Sequence, residues 1–124
     1  VLKRRGKIQA PKYIKELVKI LKSKKATNIL VLKVKPLTWI TNYLILCSGN
    51  SSTQRRIIRD TVKENYRKRK LLSSEEDREK KWLLLDYGHF ILNIFDEETR
   101  KFYNLERLWK DAKKVRIQKG NSNF

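Results

Sequence analysis

A single α/β domain, a mixed β-sheet flanked by helices, is the fold class this chain predicts. Three features carry that expectation. A lysine-faced amphipathic helix comes first; two apolar strands and a capped helix follow; then the segment WLLLDYGHFILNIF folds back on itself ahead of a helical end. With 124 residues there is room for one modest core and too little for two. Alternation of helical and strand signals is the mark of an α/β layer architecture.

The stretch from Ala10 to Lys24 reads as a helix. Ile14, Leu17, Val18 and Leu21 recur at helical spacing, Lys12, Lys15, Lys19 and Lys22 line the other side, and Pro11 suits the first turn. Asn28 to Lys35 is β-branched and apolar, a strand that Pro36 helps to end. Tyr43 to Ser48 is apolar on both faces, which marks a central strand. Gly49 and Asn50 break it. Ser51 with Gln54 three residues later matches a capping box, opening a helix to about Arg69.

On that helix Ile57, Ile58, Thr61, Val62 and Tyr66 make the expected buried arc, and Arg55, Arg59, Lys63 and Arg67 form a basic row beside it. The row suits phosphate contact, and a solvated helix face is the plain alternative. Lys70 to Lys81 is polar, with a short edge strand expected at Leu71–Leu72 and then a loop holding Glu75, Glu76 and Asp77. After the apolar segment the end is mostly helical. Residues 1–112 are expected to form the domain, and Lys113 to Phe124 a basic, partly disordered tail.

The apolar segment predicts a hairpin. Gly88 allows a positive φ, so a two-residue turn at Tyr87-Gly88 is the economical choice. It pairs Asp86 with His89, Leu84 with Ile91 and Trp82 with Asn93. Alternation then gives one wholly apolar face of Leu83, Leu85, Phe90, Leu92 and Ile94, which must be core. The other face carries Trp82, Leu84, Asp86, His89, Ile91 and Asn93. A tryptophan among carboxylate, imidazole and amide groups is the composition of an interface anchor. A half-buried face covered by a helix is the structural alternative.

Charge narrows the function. Lys and Arg number 31 against 13 acids, a net +18. Self-repulsion of that size opposes folding, and a polyanionic partner offsets it; nucleic acid or a ribonucleoprotein is the leading candidate. Cys47 is the lone cysteine, which rules out an internal disulfide. No apolar run approaches the roughly 18 residues of a membrane span.

Enzyme chemistry is poorly served. The strand–Gly–Ser–helix turn from Cys47 to Thr53 matches the place where nucleotidyltransferases hold a triphosphate, but those enzymes also need paired carboxylates for two metal ions. The chain has no Asp-x-Asp: Asp60 falls within a helix, Asp86 stands alone at a turn, and Glu75, Glu76 and Asp77 read as a solvated loop. His89 is the only histidine, and Cys47 lies mid-strand as inert core. No Walker loop or dinucleotide fingerprint occurs. No enzyme, metal or cofactor is expected.

Three motifs, TNYLILCSGNSSTQ, WLLLDYG and TRKFYNLERLWKDA, together resemble the ribosomal silencing factor family, also called Iojap, over about Lys12 to Ala112. The resemblance implies a nucleotidyltransferase-like fold without the catalytic carboxylates. It also implies docking on the fourteenth protein of the large ribosomal subunit, obstruction of subunit joining, and, in mitochondria, large-subunit assembly with an acyl carrier protein and an LYR-motif protein. The family's functional positions fall here on Trp82, Asp86, Tyr103, Leu105, Glu106, Leu108 and Trp109. Leu84, His89 and Asn93 complete the expected partner face, with ribosomal RNA beside it at Arg55, Arg59, Lys63 and Arg67. The chain departs from the family pattern at Glu76, where glycine is usual, at Asn42 in place of Asp, and at Asn93 in place of His. The high charge and the Val1 start favour an imported protein of the mitochondrial matrix, with bacterial cytoplasm and plastid as alternatives.

Overall fold

The computed structural model describes residues 7–117. Along the chain run β1 (Lys7–Gln9), α1 (Lys12–Ser23), β2 (Thr27–Lys33), β3 (Tyr43–Ser48), α2 (Ser52–Asn65), β4 (Ser73–Glu76), β5 (Trp82–Asp86), β6 (Phe90–Phe95), α3 (Glu97–Tyr103), α4 (Leu105–Leu108) and β7 (Lys113–Arg116). Among the described residues the strands form one seven-stranded sheet, in the order β1-β7-β2-β3-β6-β5-β4. The β1–β7 and β3–β6 pairs are parallel, and the other neighbours antiparallel. This is the expected single α/β domain with a mixed, helix-flanked sheet. No described helix is long and apolar enough to cross a membrane.

Burial explains the layers. Ile14, Leu17, Val18 and Leu21 of α1 and Ile58 and Val62 of α2 pack on one face of the sheet, against Val31, Ile45, Cys47, Leu83, Leu85, Leu92 and Ile94. Every residue of β3 is buried, as a central strand requires. Burial pushes the Cys47 thiol up to about 12, far from a reactive thiolate. The opposite face is a smaller cluster of Leu32, Val34, Leu44, Leu46 and Phe95, roofed by Leu105, Trp109 and Ala112.

Several expectations need correcting. Lys113–Arg116 is not tail: β7 lies between β1 and β2, and Val115 is buried. A short K/R-rich strand with one apolar residue carries too little periodicity to be read from sequence; the rest of the expected tail, 118–124, lies outside the described residues. The helical end is two helices. Asn104, at φ 48°, ends α3 and starts α4, a left-handed position that asparagine tolerates better than most residues. Glu75 and Glu76 lie in the edge strand β4, not in a loop, and the expected strand at Leu71–Leu72 starts two residues later.

The hairpin turn is also displaced. Tyr87 N–H donates to the Phe90 carbonyl at 3.0 Å, so the two central residues are Gly88 and His89. Gly88 takes φ +88°, and Asp86 Oδ1 accepts from its N–H at 2.8 Å. Glycine first in the turn supplies the positive φ there. Trp82 therefore faces Phe95, Leu84 faces Asn93 and Asp86 faces Ile91. A slip of two residues keeps the side chains that remain in the strands on their faces, whereas a slip of one would exchange them. Leu83, Leu85, Phe90, Leu92 and Ile94 are all 0% exposed. The core face is as read from sequence.

His89 is the casualty of the shifted turn. It is buried against α1 and α2, not on the Trp82 face. Its Nδ1 lies 3.1 Å from the Tyr87 carbonyl and its Nε2 lies 2.9 Å from Tyr66 Oη. A carbonyl only accepts, so Nδ1 carries the proton and Nε2 accepts from the Tyr66 hydroxyl. Burial holds the His89 pKa below its ordinary value and pushes Tyr66 up to about 12. The unfolded chain thus binds a proton that the fold refuses, and stability falls as pH drops from about 6.5 toward the lower folded pKa. His89→Gln should flatten that part of the melting-temperature profile between pH 7.5 and 5. An unchanged profile would mean that other groups set it.

Candidate partner-docking surface

Trp82 opens β5, at the edge of the roofed face. Its indole Nε1–H donates to Asn93 Oδ1 at 2.9 Å, and its ring packs 4.9 Å from Phe95 and 4.7 Å from Tyr103, centroid to centroid. The indole is fixed from below and from one side but stays half-buried. Hollows lie on both sides of it. One, of about 300 Å³, is lined by Glu75, Glu76, Asp77 and Leu84. The other, of about 430 Å³, reaches Asp77, Asp96, Glu98, Phe102 and Tyr103. Trp82 is a ridge between two acid-rimmed depressions.

The charge here reverses that of the chain. Between Glu75 and Glu98 lie eight of the 13 acids and three of the 31 bases. This stretch is net −5 in a chain of +18. Part of the charge is tied down: Arg59 and Lys80 bind Glu76, and Lys81 binds Glu79. Glu98 has no ion pair among the described residues, and Asp86 is held by the turn amide instead.

Arg100 fastens α3 and α4 to the sheet. It is 7% exposed, and its Nη1 donates to the Asn28 carbonyl at 2.7 Å and Ser48 Oγ at 3.0 Å, while Nε donates to Glu106 at 2.9 Å. A bulge in β2 and a φ of 50° aim the Asn28 carbonyl at it. Arg100→Met should cost about 2 kcal/mol, because buried acceptors lose their donor while water still reaches half-buried Glu106. Urea denaturation measures it, and a loss below about 0.5 kcal/mol would mean that the helices are held mainly by Leu105 and Trp109.

The expected partner residues therefore divide. Trp82, Leu84, Asp86 and Tyr103 reach the surface. Asn93 is 1% exposed and supports Trp82 instead of presenting itself. Leu105, Glu106 and Trp109 are half-buried and hold the roof in place. Of the expected RNA row, Arg55 is 4% exposed. It folds back so that its guanidinium donates to the Gly49 carbonyl at 2.7 Å and the Lys80 carbonyl at 2.6 Å. A Cβ on Gly49 would meet Arg55 Cγ at 2.9 Å, so the glycine makes this packing possible. Arg59 is bound to Asp60 and Glu76. Lys63 and Arg67 alone of the row are exposed.

Sequence reading passed over Trp39, 93% exposed, and Ile40, 67% exposed. Their loop sits at the turn end of the hairpin, where Thr41 Oγ1 donates to the Gly88 carbonyl at 2.9 Å. The available signal was an apolar L-T-W-I run placed after a proline, between strands.

The site is an aromatic ridge between acidic hollows on an α/β domain, with no metal-holding cluster of His, Cys, Asp or Glu among the described residues. The chain belongs to the ribosomal silencing factor family: the family model "Ribosomal silencing factor during starvation" matches residues 7–123. It is 35% identical to ribosomal silencing factor RsfS of Bacillus subtilis over 72% of this chain and 77% of that protein. It is 30% identical to mouse "Mitochondrial assembly of ribosomal large subunit protein 1" over 75% of this chain and 43% of the mouse protein, so it spans under half of that relative. A crystal structure of a Chromobacterium violaceum protein shares the fold at TM-score 0.74 and 22% identity, covering 94% of this chain and 98% of that one. The family is described as a silencing factor, not as a catalyst.

Proposed function

We propose that this chain is a non-enzymatic factor of the large ribosomal subunit. It docks through the Trp82 face on that subunit's fourteenth protein, keeps the small subunit from joining, and accompanies large-subunit assembly in the mitochondrial matrix. One observation carries the reading: the stretch of net negative charge is also the stretch that holds the aromatic ridge. An apolar anchor with an acidic rim suits a basic protein surface, the usual surface of a protein that sits on RNA. Exposed Lys63 and Arg67 are the members of the basic row placed to meet adjacent ribosomal RNA. An acyl carrier protein with an LYR-motif protein is the further partner in the mitochondrial setting. The mouse relative's name supports the assembly role.

Gradient sedimentation of the tagged protein tests the proposal. It should travel with free large subunits and their precursors and be absent from joined ribosomes. Travel with joined ribosomes or small subunits would overturn it, as would metal-dependent nucleotide turnover by the purified chain. The likeness to the B. subtilis protein favours a second reading, a bacterial silencing factor. In that case the protein loads on mature large subunits instead of precursors.

A further inference from the structure

We propose that a hollow between α1 and the β1–β7 side of the sheet binds single-stranded RNA. The hollow measures about 420 Å³, the scale of a ligand site. Its lining includes Lys15, Val18, Lys19, Lys22, Arg116 and Ile117. Val18, 3% exposed, and half-buried Ile117 give an aliphatic floor, and the basic side chains make the rim. This site is remote in sequence from the Trp82 face and does not rest on the docking reading.

The described lining is basic at four positions, Lys15, Lys19, Lys22 and Arg116. No acid lines the hollow among the described residues. The single acid of α1, Glu16, pairs with Lys68 beyond α2. Among the described residues, Lys15, Lys19 and Arg116 take part in no salt bridge. Lys15 and Lys19 stand four apart on one helix, a like-charge spacing that weakens a helix unless an anion lies between. The repulsion continues along β7, where Lys113 sits directly opposite Lys33 of β2, an unfavourable antiparallel pairing. A run of phosphates relieves both. The hollow's apolar floor then receives a base, giving the combined phosphate and base contact by which proteins hold unpaired strands.

The test is binding of a fluorescein-labelled twelve-nucleotide oligouridine to the whole chain across a salt series. Charge reversal of the rim, Lys15→Glu with Lys19→Glu and Arg116→Glu, should weaken binding more than tenfold. It should also flatten the log–log salt slope by about 2, from roughly 0.7 per lost single-strand contact. The same change of charge on the other face of the sheet, Lys101→Glu with Arg107→Glu and Lys110→Glu, should weaken it less than threefold. Ile117→Ser should lower affinity severalfold and leave the slope unchanged, as loss of an apolar seat predicts. Equal losses from the two triple variants would mean attraction by net charge alone and overturn the site. No loss from the rim variant would do the same, leaving the hollow to a protein segment. If the rim variant fails to fold by circular dichroism, Lys15→Gln with Lys19→Gln replaces it, with a slope change of about 1.4 on the same rule. Trp82→Ala should leave oligouridine binding intact, which separates failure here from failure of subunit docking.

Discussion

Trp82→Ala should abolish co-sedimentation with the large subunit while the domain stays folded. The indole is the largest apolar group on the acidic face, and it is held ready by Asn93 below and Tyr103 beside it. An anchor that needs no reordering on binding loses little entropy, and truncating a central aromatic anchor typically costs about 2 kcal/mol or more. The substitution also leaves Asn93 Oδ1 without its donor, so a second variant guards against a purely structural loss. Leu84 is half-buried on the same face, and Leu84→Lys adds a cation where the proposed basic partner would approach. Asp86 needs a gentler change, because its Oδ1 holds the Gly88 amide. Asp86→Asn keeps that acceptor and removes the charge. It should slow association and reduce binding severalfold, mostly at low salt. Folded Trp82→Ala and Leu84→Lys proteins that still pellet with the subunit would sink the docking face.

The layers of this fold were legible in sequence because burial writes its period there. The apolar arc of α1 and both faces of β3 fall where alternation puts them. Even the displaced turn left the hairpin faces intact, since parity survives a slip of two. The surface was less legible. Arg55 has the spacing of a solvated row, yet the glycine six residues earlier lets it fold onto backbone carbonyls. Periodicity cannot foresee a contact made by close approach. His89 and Asn93 look like matching polar interruptions of one strand pair. The true turn sends one under the helices and the other beneath an indole. β7 was missed for the opposite reason: it joins the sheet by backbone pairing with β1 and β2, and Val115 is its single buried side chain.

The largest stability effects should come from the hidden side of the same hairpin. Leu83, Leu85, Leu92 and Ile94 are each 0% exposed, and each packs beneath α1 and α2 in one cluster. Truncating any of them to alanine removes buried methyl groups and leaves a cavity that a sheet pinned between layers closes poorly, a loss of roughly 2–5 kcal/mol in urea melts. Neighbouring Leu84 should behave otherwise: half-buried on the outer face, its change to alanine should cost under about 1.5 kcal/mol. The alternation of large and small losses along Leu83, Leu84 and Leu85 is therefore a direct readout of which face is core. Register can be read from pairs. Leu85 lies opposite Leu92, so their two substitutions share one cavity and should couple by about 0.5–3 kcal/mol, whereas Leu85 and Ile14 of the far helix should add more nearly independently. Coupling of Leu85 to Phe90 in place of Leu92 would restore the Tyr87-Gly88 turn. Equal losses at Leu83, Leu84 and Leu85 would mean that the Trp82 face is itself core, and a core face has no surface left to dock with.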